Sequence, residues 1–220
     1  MNNNLTEMVF ILDMSGSMSN LTNDTIGGYN SLIEKQKKEP GDALVTTILF
    51  DDRYIVLHDR VDIKDVKPLT DKEYCPTGCT AMLDAVGKTI KSIGQKLNNT
   101  PEEERPGNVV VTIITDGYEN ASKEYSWTQV QDMIKEQKEK YSWLFTFIGA
   151  NIDVTQVSEN LGIDRKLAKS FTASGKGVGS VFTAMSAAVS YSRDASAKKT
   201  SMERTEAEVD SISNIMDDIE

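Results

Sequence analysis

An apolar run, Met8-Val9-Phe10-Ile11-Leu12, stops at Asp13 and is followed by Met14-Ser15-Gly16-Ser17. Five consecutive apolar residues can fill both faces of a strand, so the run belongs at the centre of a parallel sheet. A carboxylate and two hydroxyls, at alternate positions, then leave the carboxyl end of that strand. This feature limits the fold more than any other in the chain.

The rest of the chain alternates strands with helices. Residues 19–38 have helical character: Ile26, Tyr29 and Ile33 fall at helical spacing, and Pro40-Gly41 stops the segment. Residues 44–50 read as a second strand. Asp51-Asp52-Arg53 turns it into a third, residues 54–57, so these two form a hairpin and the third is antiparallel at an edge. Leu83, Val86, Ile90, Ile93 and Leu97 mark one face of a helix over 81–97. Strands follow at 109–114, 143–148 and 169–172, with helices at 127–140 and 154–161. Gly175 to Gly179 opens a last helix that runs to about Tyr191.

This order predicts an α/β fold: a doubly wound, mostly parallel six-stranded sheet with one antiparallel edge strand and helices on both faces. In such sheets ligands bind at the carboxyl ends of strands, where the winding reverses. The reversal falls between the first strand and strand 109–114. Asp13 and Asp116 are the residues that leave those two strands.

Thr80, in Thr77-Gly78-Cys79-Thr80-Ala81, stands just before a helix, and Asp116 lies in Thr115-Asp116-Gly117. With Asp13, Ser15 and Ser17 they make an all-oxygen set suited to a hard divalent cation. Two carboxylates balance a dication without overcompensating it. Mg²⁺ takes about six oxygens, so five side chains, some acting through water, leave room for one outside oxygen. Mn²⁺ is an alternative and Ca²⁺ a third candidate. A neutral site of this kind favours an external carboxylate.

The pattern Asp-x-Ser-x-Ser, then Thr, then Asp resembles the von Willebrand factor A (vWA) domain with its metal-ion-dependent adhesion site (MIDAS). It falls on Asp13, Ser15, Ser17, Thr80 and Asp116 with no departure. Thr80-Ala81-Met82-Leu83-Asp84-Ala85 and Phe147-Ile148-Gly149-Ala150-Asn151 also resemble stand-alone bacterial members. The resemblance covers about residues 5–192 and implies a Rossmann-like vWA fold. It also implies a protein-binding module and not an enzyme, whose metal takes an Asp or Glu of a protein partner as its last ligand. In that family, rearrangement of the metal loops is coupled to sliding of the last helix.

Composition narrows the alternatives. The 220 residues carry 24 basic and 34 acidic side chains, a net charge of −10 with no basic cluster. Such a chain is a poor candidate for nucleic acid or anionic membrane. No stretch approaches about 20 apolar residues, and the first residues lack a signal-sequence pattern, so a cytoplasmic location is expected. Two cysteines and one distant histidine fall short of the roughly four ligands of structural zinc. A Cys75–Cys79 disulfide would tether the Thr80 loop, though free thiols are the cytosolic norm.

The chain divides into a domain over 1–192 and a tail over 193–220. Residues 193–201 are small and polar. Val209, Ile212, Met216 and Ile219 then form a narrow apolar stripe on an acidic helix, which either packs on its own domain or is offered to a partner; following a polar linker, it leans towards an intermolecular role or self-association. Residues 203–220 hold seven acids against the single base Arg204.

Several residues invite other readings. Gly175-Lys176-Gly177-Val178-Gly179-Ser180 lacks phosphate-loop spacing and reads as a helix lead-in. Met14 and Met18 read as packing residues, and His58 as a surface or packing residue on the edge strand. Tyr118 and Asn120 are expected to line the metal face. An adaptor subunit of an ATP-driven, chelatase-like complex is a second functional reading, since the chain has no nucleotide motif of its own. A magnesium-dependent hydrolase is a third and weaker one. An aspartyl nucleophile would need a second Asp at position 15, and a serine hydrolase would need His58 beside Ser15 or Ser17.

Overall fold

The computed structural model describes residues 1–199 and 204–220. Six strands form one sheet: β1 (Asn2–Asp13), β2 (Asp42–Phe50), β3 (Tyr54–Asp62), β4 (Pro106–Thr115), β5 (Leu144–Gly149) and β6 (Ala168–Ser170). Their order is β3-β2-β1-β4-β5-β6. The β2–β3 hairpin is antiparallel, and every other pair is parallel. The architecture is the predicted doubly wound α/β sheet with an antiparallel edge strand. Helices α1 (Thr22–Gln36), α2 (Met82–Asn98), α3 (Trp127–Tyr141), α4 (Val154–Leu161), α5 (Gly175–Ala197) and α6 (Glu206–Met216) cover it.

β1 lies at the centre, paired with β2 on one side and β4 on the other. Met8 to Leu12 are at most 1% exposed, which explains their unbroken apolar sequence. Because the chain winds one way from β1 to β2 and the other way to β4, the carboxyl ends of β1 and β4 open side by side. Phe10 packs edge-on against Tyr29 of α1, with ring centroids 5.7 Å apart. Tyr29 Oη lies 2.6 Å from Thr47 Oγ1 and 3.2 Å from His58 Nδ1. His58 is therefore a packing residue inside the sheet's edge, and burial pushes its pKa below the ordinary 6.5.

Four local features differ from expectation. β1 begins at Asn2, well before its apolar run, because Asn2 N donates to Arg105 O at 2.8 Å and holds the polar segment in the sheet. A 3₁₀ turn, Gly16–Leu21, precedes α1 and carries the motif's last serine. α5 runs to Ala197, so the division expected after residue 192 falls inside a helix. Polar residues hide that extension. Ser192, Arg193 and Ser196 are buried, and Arg193 donates to Gln36 O, Pro40 O and Gly41 O at 2.9–3.1 Å.

The tail is the fourth. The stripe on α6 packs on its own domain, with Ile212 and Met216 fully buried in the common core and Val209, Ile215 and Ile219 packed against it. Self-association through that stripe would require α6 to leave this core. Thr172 N donates to Glu220 O at 2.8 Å, and Glu220 N to Ser180 Oγ at 2.9 Å. Gly177 permits the close approach beneath: a Cβ there would stand 2.0 Å from Thr172 O. No described helix is long and apolar enough to cross a membrane. Cys75 and Cys79 are free thiols.

Candidate metal centre

β1 ends at Asp13 and β4 at Thr115, so Asp13 and Asp116 emerge from neighbouring strands at one edge of the sheet. Asp13 Oδ1 accepts from Ser15 N at 2.6 Å, which curls the chain back over the strand end. That curl becomes the 3₁₀ turn and brings Ser15 Oγ within 3.1 Å of Ser17 Oγ. Ser17 Oγ donates in turn to Asp116 Oδ1. A Cβ placed on Gly117 would lie 3.5 Å from Thr80 Oγ1 and 3.7 Å from Ser17 Oγ, so Thr80 closes on the same point. All five motif residues thus converge. Asp13, Ser15, Thr80 and Asp116 are buried, and Ser17 opens the cluster to solvent.

The decisive observation is electrostatic. Among the described residues five carboxylates are buried: Glu7, Asp13, Asp51, Asp84 and Asp116. A buried charge needs a partner. Glu7 accepts from Arg60 Nε at 2.8 Å, helped by the positive φ of 52° that Arg60 adopts at a register shift in β3. Asp51 pairs with Arg53 Nη2 at 2.5 Å. Asp84 accepts from three backbone amides, Lys123 N, Glu124 N and Tyr125 N, each at 2.9 Å. Asp13 and Asp116 have hydroxyl and amide donors but no cationic partner among the described residues. Burial pushes both carboxyls above their ordinary 3.8, and the charge of Asp116 pushes Asp13 further. Two uncompensated carboxylates ringed by three hydroxyls fit a hard divalent cation in donor type and charge.

Residues that support the cluster lie outside the five-residue motif. Thr115 Oγ1 donates to Asp13 Oδ2 at 2.5 Å and fixes the carboxylate's rotation. Tyr74 Oη donates to Asp13 O at 2.6 Å from the loop between β3 and α2. Met14 and Met18 are 1% exposed and pack, as expected. Tyr118 is 55% exposed beside the cluster, with its hydroxyl accepting from Asp153 N at 2.9 Å. Asn120 is exposed, and its Oδ1 accepts from Thr80 N at 2.9 Å. His58 is held by Tyr29 and Thr47 and takes no part in the cluster.

Asp84 yields a pH-dependent prediction. Burial opposes its charge, but the three backbone donors outweigh burial and hold the carboxyl below its ordinary 3.8. A depressed folded pKa gives stability that is present above the unfolded value and lost as pH falls through the folded one. Asp84→Asn is expected to lower stability by about 2 kcal/mol at pH 7, with the deficit narrowing below pH 3.8. Urea denaturation at stepped pH measures this. A deficit independent of pH would show that the charge plays no part.

The fold is that of the von Willebrand factor A domain, and solved structures share it. The chain aligns with proximal thread matrix protein 1 from the mussel byssus, a structure with a zinc-occupied MIDAS motif, at TM-score 0.58 and 17% identity, covering 84% of this chain and 46% of that one. The manganese-loaded TRAP protein of Plasmodium vivax gives TM-score 0.56 at 18% identity, with coverage of 81% and 72%. A von Willebrand factor type A protein from Catenulispora acidiphila gives 0.50 at 13%, with coverage of 88% and 42%. This chain spans about half the length of the mussel protein. No protein-family model matches the chain, and no curated protein matches it.

Proposed function

We propose that this chain is a metal-dependent protein-interaction module. Asp13, Ser15, Ser17, Thr80 and Asp116 hold one divalent cation, Mg²⁺ or Mn²⁺, and the partner supplies an Asp or Glu. The observation that carries this reading is the pair of buried carboxylates with no cationic partner, set in a ring of hydroxyls at the sheet's switch point. Zinc and manganese in structures of the same fold support a divalent cation. When bound, the cation supplies Lewis-acid attraction for a carboxylate. The protein's part is positional. Thr115 and Ser15 N orient Asp13, Ser17 orients Asp116, and the exposed side of Ser17 is where a partner approaches. On this reading the module binds its partner and does not turn a substrate over.

The test is recovery of partners on immobilised wild-type protein with and without EDTA, and on Asp116→Ala, read by mass spectrometry. A true partner is expected only on the metal-loaded wild type. Replacing one acidic residue on that partner should then abolish binding as fully as EDTA does. Identical recovery in all three conditions would sink the reading.

A further inference from the structure

The first turn of α2 lacks a cap of its own. Ala81 stands at the N-cap position with no side-chain hydrogen bond. An α-helix leaves its first amides unpaired, and these must find acceptors elsewhere. Here they find them on the loop that follows Asp116. Thr80 N donates to Asn120 Oδ1 at 2.9 Å, and Asn120 N returns a bond to Thr80 O at 3.0 Å. Leu83 N donates to Glu119 Oε2 at 2.9 Å. Asp84 N donates to Ser122 Oγ at 3.0 Å.

Glu119 is the hub. Its other oxygen, Oε1, accepts from Ala121 N at 2.9 Å and Ser122 N at 2.8 Å, while Ser122 Oγ donates to Oε2 at 2.8 Å. One carboxylate therefore folds its own loop and caps α2 at once. A carboxylate at a helix N-terminus also meets the positive end of the helix dipole. From the other side, Asp84 gathers the amides of Lys123, Glu124 and Tyr125. Tyr125 then lies on Gly87 of α2, where a Cβ would come within 2.5 Å of its ring.

Thr80 immediately precedes the N-cap of this helix, and Asp116 begins this loop. The latch makes the two segments one body, so Thr80 Oγ1 and the Asp116 carboxylate keep a fixed separation. We propose that Glu119, with Asp84 and Asn120, is a positioning residue that sets the cation selectivity of the site. This rests on the metal reading above. Mg²⁺ demands a near-ideal small octahedron, whereas Ca²⁺ accepts a loose and larger shell. A rigid Thr80–Asp116 pair serves the first and brings little to the second.

Calorimetric titration with MgCl₂ and with CaCl₂ tests this on the full chain. Glu119→Ala removes the acceptor shared by Leu83 N, Ala121 N and Ser122 and leaves the Asn120 and Asp84 bonds in place. It is expected to weaken Mg²⁺ binding by about 10-fold or more and Ca²⁺ binding by less than about 3-fold, so the preference for Mg²⁺ falls. Glu119→Gln keeps one carbonyl acceptor and should give an intermediate ratio; it carries the test if Glu119→Ala does not fold. Ile134→Val, in the α3 core, controls for general stability and should leave the ratio unchanged. Wild-type Mg²⁺ affinity in both Glu119 variants, or equal loss towards both cations, would overturn the inference. No cation binding by the wild type would overturn the metal assignment and this inference with it.

Discussion

Asp13→Ala and Asp116→Ala are each expected to abolish divalent-cation binding, with a loss above about 100-fold, because each removes a charged ligand that no neighbour can replace. Calorimetry with Mg²⁺ or Mn²⁺ should show one site in the wild type and none in either variant. Neutralising Asp116 without removing its oxygen acceptor has the opposite effect in the absence of metal. The two buried carboxylates oppose folding when nothing positive faces them. Asp116→Asn is therefore expected to raise the metal-free stability by about 1 kcal/mol, or roughly 2–4 °C in melting temperature for a chain this size. In the wild type, cation at 100 times its Kd should add about 2.7 kcal/mol. Binding that persists in both alanine variants would show that the cation sits elsewhere. A metal-free Asp116→Asn less stable than wild type would show that the carboxylate is compensated after all.

The second large effect is expected at Arg204. Its guanidinium donates to Ser142 O at 3.0 Å, to Ser192 Oγ at 3.2 Å and to Asn108 Oδ1. Burial pushes its pKa down to about 10, with Glu208 opposing, so it stays charged at neutral pH. These bonds pin the start of α6 to the amino-terminal end of β4. Arg204→Ala removes three guanidinium bonds and the packing of a long side chain, although Asn108 and Ser192 stay bonded to each other, and should cost about 3 kcal/mol, near 10 °C by the same scaling. Arg204→Lys should recover only part, since an ammonium cannot reproduce the fork. Calorimetric melting reads the loss, and hydrogen exchange over 206–216 should rise with it. Unchanged exchange there would show that apolar packing of Ile212 and Met216 holds the helix without the arginine.

The cluster was legible in the sequence because each of its members stands where a regular element starts or ends. Asp13 and Asp116 close apolar runs, and Thr80 precedes a helical face. The strand order followed from the short turn at 51–53 and from the switch between the two central strands. The latch was not legible. Glu119 and Leu83 are 36 residues apart, and an uncapped helix start gives no sign of which distant side chain will serve it. Asp84 could have been noticed as an acid in a helix's first turn. The extension of α5 was hidden for another reason: periodicity weighs Ser192, Arg193 and Ser196 as exposed, yet each is buried with polar partners. The stripe on α6 looks the same in sequence whether it packs on its own chain or on a second one. Only the tertiary arrangement distinguishes the two, through Arg204, the ion pair of Lys166 with Asp210 at 2.7 Å and that of Lys169 with Asp217.

β1 also fixes how the molecule can be presented to a surface. It crosses the whole sheet, from Asn2 to Asp13. At about 3.3 Å per residue, its two ends stand about 36 Å apart. A linker attached ahead of Met1 therefore leaves from the end opposite Asp13, with the motif loops pointing away from the support. In a force or surface-plasmon measurement, such an anchor would pull along the central strand and load it in shear against β2 and β4. The carboxyl end offers no equivalent handle. Glu220 is bonded to Thr172 and Ser180 and its side chain pairs with Lys176 at 2.5 Å, so a tag there would lever on the first turn of α5.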